Sequence, residues 1–176
     1  MSDGPPPVRV QGTWWRVGRP SGDPLALTPE SADGRWQRGS VVRALYLADS
    51  EQTAWAEWYR HSAELGVPPH TRLPRAVYSF EVDVAQVADL TAAAALERLG
   101  VKRLQPTRRQ WPTTQPIGEA CWQAGRRGLL APSAAHEGGR VLVIFRPTAE
   151  APDGVRALPR PRRHTELPPL PTGLRT

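Results

Sequence analysis

At 176 residues the chain is long enough for one domain with a buried core, and 39% apolar residues place it among globular rather than disordered chains. The formal charge of +6 is almost wholly arginine, since Lys102 is the sole lysine, and the basic residues lie scattered among acidic ones; this argues against the basic stripe of a nucleic-acid reader. One cysteine, Cys121, excludes an internal disulfide, no apolar run approaches bilayer length, and the opening MSDGPPPVRV lacks a signal-peptide layout, so the expectation is a soluble cytoplasmic protein.

In chain order, residues 1–12 read as a loose Pro-rich lead-in and TWWRV, 13–17, as a strand of bulky β-formers. Gly, Pro, Ser and Asp make 18–34 an irregular loop, and the apolar run within 40–48 a second strand. A helix is predicted over 51–65, with Asp49 or Ser50 as its cap and Gly66 before a Pro-Pro stop. Residues 75–84 alternate: Ala76, Tyr78, Phe80, Val82 and Val84 face one way, Ser79, Glu81 and Asp83 the other, as in a half-buried strand. Helices are expected over 91–99 and 116–126, then brief strands over 129–131 and 140–145 joined by the turn PSAAHEGG. After Pro147 the chain turns Pro- and Arg-rich, and 148–176 reads as an extended, weakly packed tail. The order of elements does not alternate strictly, which favours an α+β fold with a mixed, largely antiparallel sheet.

Several residues can carry chemistry, each with an ordinary alternative. Arg35, in Gly34-Arg35-Trp36, suits a guanidinium forking onto phosphate oxygens, or a plain surface arginine. Arg16 follows two tryptophans on the first strand. Tyr46 ends an apolar strand, as a core tyrosine or as a ring that stacks on a flat heterocycle. Glu57 lies between Trp55 and Trp58, where a carboxylate is partly desolvated and calls for a partner or a purpose. Ser133 falls in a turn after a strand, but no G-x-S-x-G elbow accompanies it. Cys121 reads as helix packing. His61, His70, His136 and His164 lack metal-ligand spacing, with each other or with Cys121, and neither common Gly-rich phosphate loop is present.

Taken in order, GRWQRGSVVRALYLADSEQTAWAE, then GLLAPS, a turn and RVLVIF resemble the RES-domain family, over residues 14–147. The resemblance implies a domain over 13–147 similar to ADP-ribosyltransferases: a split antiparallel β-core with flanking helices around an NAD+ cleft. It implies an NAD+-degrading toxin of a toxin–antitoxin pair, an NAD+ glycohydrolase or NAD+ phosphorylase that cleaves the nicotinamide–ribose bond. NAD+ would be the substrate, water or inorganic phosphate the nucleophile, with no cofactor and no metal. The partner would be a cognate helix-turn-helix antitoxin, with no membrane or direct nucleic-acid contact and with self-association open. By position Arg35, Glu57 and Ser133 take the catalytic places, and Arg16, Arg35, Tyr46 and Ser133 the substrate-binding ones. Where asparagine is common before the last strand, this chain has Arg140. Two rival readings are ADP-ribose transfer to a protein or nucleic acid, and a non-catalytic interaction module using the tail.

Overall fold

The computed structural model describes residues 5–27 and 32–176. Its strands are β1 (Pro7–Gly18), β2 (Arg43–Ala48), β3 (Arg75–Asp89), β4 (Gly128–Pro132), β5 (Arg140–Arg146), β6 (Val155–Ala157) and β7 (Arg162–His164); its helices are α1 (Glu51–Glu64), α2 (Ala93–Arg98) and α3 (Trp111–Gln123). The expected α+β fold with a largely antiparallel sheet is present, and β3–β4 is the one parallel pairing among the described strands.

The expectation of a split core gives way to a closed ring. β1 pairs antiparallel with β3 over nearly its whole length, and β3 continues through β4, β5 and β2. A pairing of Trp15 with Ala48 joins β2 back to β1. The register shift between Val8 and Val10 adds the local twist and bend that a five-stranded ring needs to close.

The alternation read in β3 holds: Ala76, Tyr78, Phe80, Val82 and Val84 are all buried. They fill the barrel with Val10, Trp14, Leu45, Leu47, Leu142 and Ile144. Alternate residues of the same strands, Leu129, Ala131, Val141, Val143 and Phe145, point outward onto Trp36, Leu90, Leu96 and Leu104. A third cluster, Trp55, Trp58, Tyr59 and Val77, seats α1 against the barrel wall.

β3 runs on to Asp89 instead of ending at residue 84, and three further expectations are corrected. β1 starts at Pro7, so half of the lead-in is strand; residues 1–4 of that lead-in and 28–31 of the 18–34 loop lie outside the described residues. α3 begins at Trp111 rather than at Pro116, because Pro112 sits in the first turn, where its missing N–H would have had no partner anyway. The tail is extended but not weakly packed. β6 and β7 pair antiparallel with the edge of β3 that β4 leaves open, covering backbone groups that an uncapped edge would expose. Each is three residues long and flanked by prolines, too short to show a period in the sequence.

Candidate functional site

A cavity of about 360 Å³ opens between α1, β2, the end of β1 and the turn at residues 34–37, at the lower end of the usual range for ligand pockets. Arg16, Arg35, Tyr46 and Glu57 line it; Ser133 does not, although its neighbours Pro132 and Ala134 do.

Glu57 reaches the cavity from the middle of α1, whose start is capped by Ser50: its hydroxyl accepts the Thr53 N–H at 3.1 Å. The neighbouring tryptophans do not hold the carboxylate. Trp55 and Trp58 stack edge to face, 5.3 Å between centroids, within the cluster that seats the helix. Two hydrogen bonds fix the acid instead. The Ser133 hydroxyl donates to Oε1 at 2.7 Å, and Arg60 Nε donates to Oε2 at 3.0 Å.

Ser133 is buried, and its oxygen also accepts the N–H groups of Ala135 and His136 at 3.1 and 3.0 Å. Its bonding is therefore spent on the acid and the turn. The place expected for a ligand contact is occupied by a residue that orients Glu57.

Arg60 is itself oriented by Glu64, whose Oε1 accepts from Nη1 at 2.5 Å. Glu64 in turn faces Arg108 Nε at 3.5 Å and His61 Nδ1 at 3.8 Å. Glu57, Arg60 and Glu64 thus form a ladder of alternating charge along one face of α1, spaced three and then four residues. Neither Arg60 nor Glu64 was singled out from the sequence, although that spacing was readable.

Arg35 stands across the cavity in different circumstances. Its side chain is buried, no carboxylate lies within ion-pair distance among the described residues, and Nη2 has no hydrogen-bond acceptor. Nη1 has only Gln110 Oε1 at 3.4 Å. Burial, and then repulsion from Arg60, push its pKa down, opposed by Glu57, Glu64 and Tyr46. A guanidinium held in this way lacks an anion.

The turn that carries Arg35 is clamped from three sides. Tyr46 Oη donates to Gln37 Oε1 at 2.5 Å and accepts from the Trp36 N–H at 3.1 Å. On α3, Thr114 Oγ1 donates to the Arg35 carbonyl at 2.6 Å and Gln115 Nε2 to the Gly34 carbonyl at 3.0 Å. Glu119 accepts from the Arg38 N–H at 2.9 Å and pairs with its guanidinium. The close approach explains two glycines: a Cβ on Gly34 would strike the Tyr46 hydroxyl, and one on Gly118 the Trp36 carbonyl. Burial raises the Tyr46 phenol far above its ordinary range, so it stays a neutral donor. Thr114, Gln115 and Glu119 were not singled out from sequence; placing the helix start at Pro116 left the first two outside it, and Glu119 had no visible partner until α3 was docked on the turn.

Arg16 projects from β1 into the same cavity. Water reaches it, yet the protein walls surround it; burial first and then Arg146 lower its pKa. It makes no ion pair among the described residues. Arg146, also missed, is buried at the end of β5 and donates to the carbonyls of Leu25, Ala149 and Glu150. Arg140 points elsewhere, to Asp49 at 3.2 Å. No helix among the described residues is long and apolar enough to cross a membrane.

The chain is similar to known proteins in sequence and in fold. The chain is 34% identical over 138 residues to the probable NAD(+) phosphorylase Rv3189 of Mycobacterium tuberculosis, covering 77% of this chain and 65% of that protein. It is 32% identical over 124 residues to the NAD(+) phosphorylase MbcT of Mycobacterium bovis, covering 68% and 65% respectively. The chain therefore spans about 65% of the length of these curated relatives. The crystal structure of the M. tuberculosis MbcT–MbcA toxin–antitoxin complex superposes with a TM-score of 0.73 at 24% identity, over 90% of this chain and 87% of that one, a likeness of fold. The RES domain profile matches residues 13–168, beyond the 147 expected from the motifs, and the chain belongs to the RES domain family.

Proposed function

We propose that this chain degrades NAD+ by cleaving the bond between nicotinamide and ribose, with inorganic phosphate as the attacking group. The observation that carries the reading is the pairing of opposites across one cavity: an acid fixed at both oxygens, and a buried guanidinium without an anion. The names of the relatives, NAD(+) phosphorylases, favour phosphate over water.

The nicotinamide of NAD+ is already a cationic leaving group, so no strong general acid is needed. As the bond breaks, its electron pair neutralises the ring nitrogen and positive charge grows on the ribose. The Glu57 carboxylate stabilises that charge through space from a fixed position, the arrangement in which an electrostatic contribution is largest. Arg35, together with Arg16, grips the diphosphate. The Tyr46 ring offers a flat face to the nicotinamide while its hydroxyl holds the Arg35 turn. A phosphate oxygen then bonds to the anomeric carbon, giving free nicotinamide and ADP-ribose phosphorylated at that carbon.

The solved relative, a toxin crystallised with its antitoxin, supports the same role for this chain, a toxin held in check by an antitoxin; a helix-turn-helix antitoxin and a cytoplasmic setting are what the family resemblance implies. The closed barrel with its lateral cleft would then be a variant of the ADP-ribosyltransferase plan.

Purified protein incubated with NAD+ and phosphate should release nicotinamide and the phosphorylated product, and without phosphate only slowly yield ADP-ribose. NAD+ left intact under both conditions, by the native chain as by Glu57→Gln, would remove the proposal. Label from NAD+ on proteins or nucleic acids in a lysate would instead support ADP-ribose transfer.

A further inference from the structure

The hydrogen bond between Glu57 and Ser133 joins two elements far apart in sequence, α1 and the turn at residues 133–137. The chain after Pro168 grips both. On the helix side, Tyr59 Oη donates to the Pro168 carbonyl at 2.9 Å, and Leu174 packs onto the cluster of Trp55, Trp58 and Tyr59. On the turn side, the Glu137 N–H donates to the Gly173 carbonyl at 3.0 Å and the Arg175 N–H to the Ala135 carbonyl at 2.7 Å, around an antiparallel bridge between His136 and Leu174. His136 Nε2 lies 3.0 Å from the Thr172 carbonyl, which can only accept, so this nitrogen carries a proton. The other ring nitrogen of His136 meets Thr53 Oγ1 on α1 at 2.8 Å.

We infer that residues 168–175 form a positioning strap for the Glu57–Ser133 pair. The strap does not touch the cavity. It acts through the peptide units of Ala135 and His136, whose N–H groups hold the Ser133 oxygen and whose surroundings the strap completes. A backbone bonded on both of its faces has little freedom to rotate, so the serine presents its proton to Glu57 in one direction. Without the strap the turn keeps its link to Gly139 but loses its outer partners, and misplacement of a reacting group by about 1 Å can cost on the order of a hundredfold in rate. All but the first residue of the strap lies beyond the family match, which ends at residue 168. The inference rests on the NAD+ reading only for its effect on turnover.

The test compares the native chain, a chain stopped after Leu167, and full-length Leu174→Asp and Leu174→Met. Amide hydrogen exchange of Ala135 and His136 should accelerate at least about tenfold in the first two variants, while β5 amides stay protected. With NAD+, kcat should fall about 10- to 100-fold with KM changed less than about twofold, because the strap orients the acid and does not bind the dinucleotide. Leu174→Met should behave as the native chain, and a peptide of residues 165–176 added to the shortened chain should restore kcat. Full turnover in a folded strapless chain, or unchanged exchange at Ala135 and His136, would overturn the inference. So would a lowered melting temperature with native kcat per folded molecule. If the shortened chain does not fold, Leu174→Asp decides. If no form consumes NAD+, the functional reading fails and the exchange data still judge the strap.

Discussion

The two sides of the cavity hold their charges on opposite plans. On α1 every charge is paired: Glu57 with Arg60 and Ser133, Arg60 with Glu64, Glu64 with Arg108. On the turn at 34–37 the backbone is clamped from all sides, but the guanidinium at its tip has no acid. Paired charges are satisfied before a ligand arrives and therefore orient. An unpaired buried cation is unsatisfied, and it is the half of the site that gains most when an anion binds. The acid side should thus govern the rate and the cation side the affinity, with opposite consequences for stability.

The largest effect should follow from neutralising the acid. Glu57→Gln keeps the shape, but its single oxygen can accept from only one of Ser133 and Arg60 in place, and it removes the charge that the proposed reaction needs beside the sugar. Loss of one fixed electrostatic group in a dry site costs roughly a hundred- to a thousandfold in kcat. Binding of NAD+, measured by calorimetry, should change little. A variant that loses affinity and keeps its rate would invert the assignment of the two sides.

Arg35→Met should do the reverse and make the comparison sharper. Removing a buried cation that has no acid and only one long hydrogen bond ought to raise stability by about 1 kcal/mol, or roughly 2–4 °C in melting temperature for a chain of this size. Affinity for NAD+ should fall about a hundredfold, the worth of a charge-assisted pair of hydrogen bonds to phosphate. More stable and less able to bind is an uncommon combination, and a loss of stability here would show that the guanidinium has an anion already.

That contrast also marks how far the sequence could be read. Arg35, Tyr46, Glu57 and Arg16 were identifiable from the family resemblance, with adjacent tryptophans marking Arg16, Arg35 and Glu57, and the structure brings all four to one cavity. Ser133 was found too, but with a contact to the ligand expected where the structure has a contact to Glu57. A motif gives the residue, and only the fold gives the direction of its bond. The α3 clamp was invisible because Thr114, Gln115 and Glu119 have no meaning until the helix is docked on the turn. Closure of the barrel was likewise beyond reach, since it depends on β1 using both of its edges and no one-dimensional pattern records that.

Tyr46→Phe tests the clamp with a smaller change. The ring that lines the cavity remains, while the Trp36 N–H loses its acceptor and Gln37 Oε1 its donor. The cost in unfolding free energy should be about 1–2 kcal/mol. Affinity for NAD+ should drop several-fold as the turn loosens, and kcat should move less. Equal losses in kcat and affinity would mean that the hydroxyl serves the chemistry and not only the turn.

The smallest effect expected is a dependence of stability on pH through His61, which lines the cavity beside the charge ladder. Burial, then Arg72 and Arg60, push its pKa below the ordinary histidine value, with Glu64 opposing. The unfolded chain therefore takes up a proton near pH 6.5 that the folded chain refuses. The stabilisation is fully present above that pH and is lost as pH falls through the folded value. The imidazole is nearly half exposed, and with solvent screening the loss should stay below about 1 kcal/mol. Melting temperatures at about pH 7.5 and about pH 5 should fall further apart in the native chain than in His61→Gln. A protonated His61 adds a cation to the α1 wall of the cavity, so NAD+, by bringing its diphosphate, should shrink that gap; a gap that widens with NAD+ would place the diphosphate away from His61.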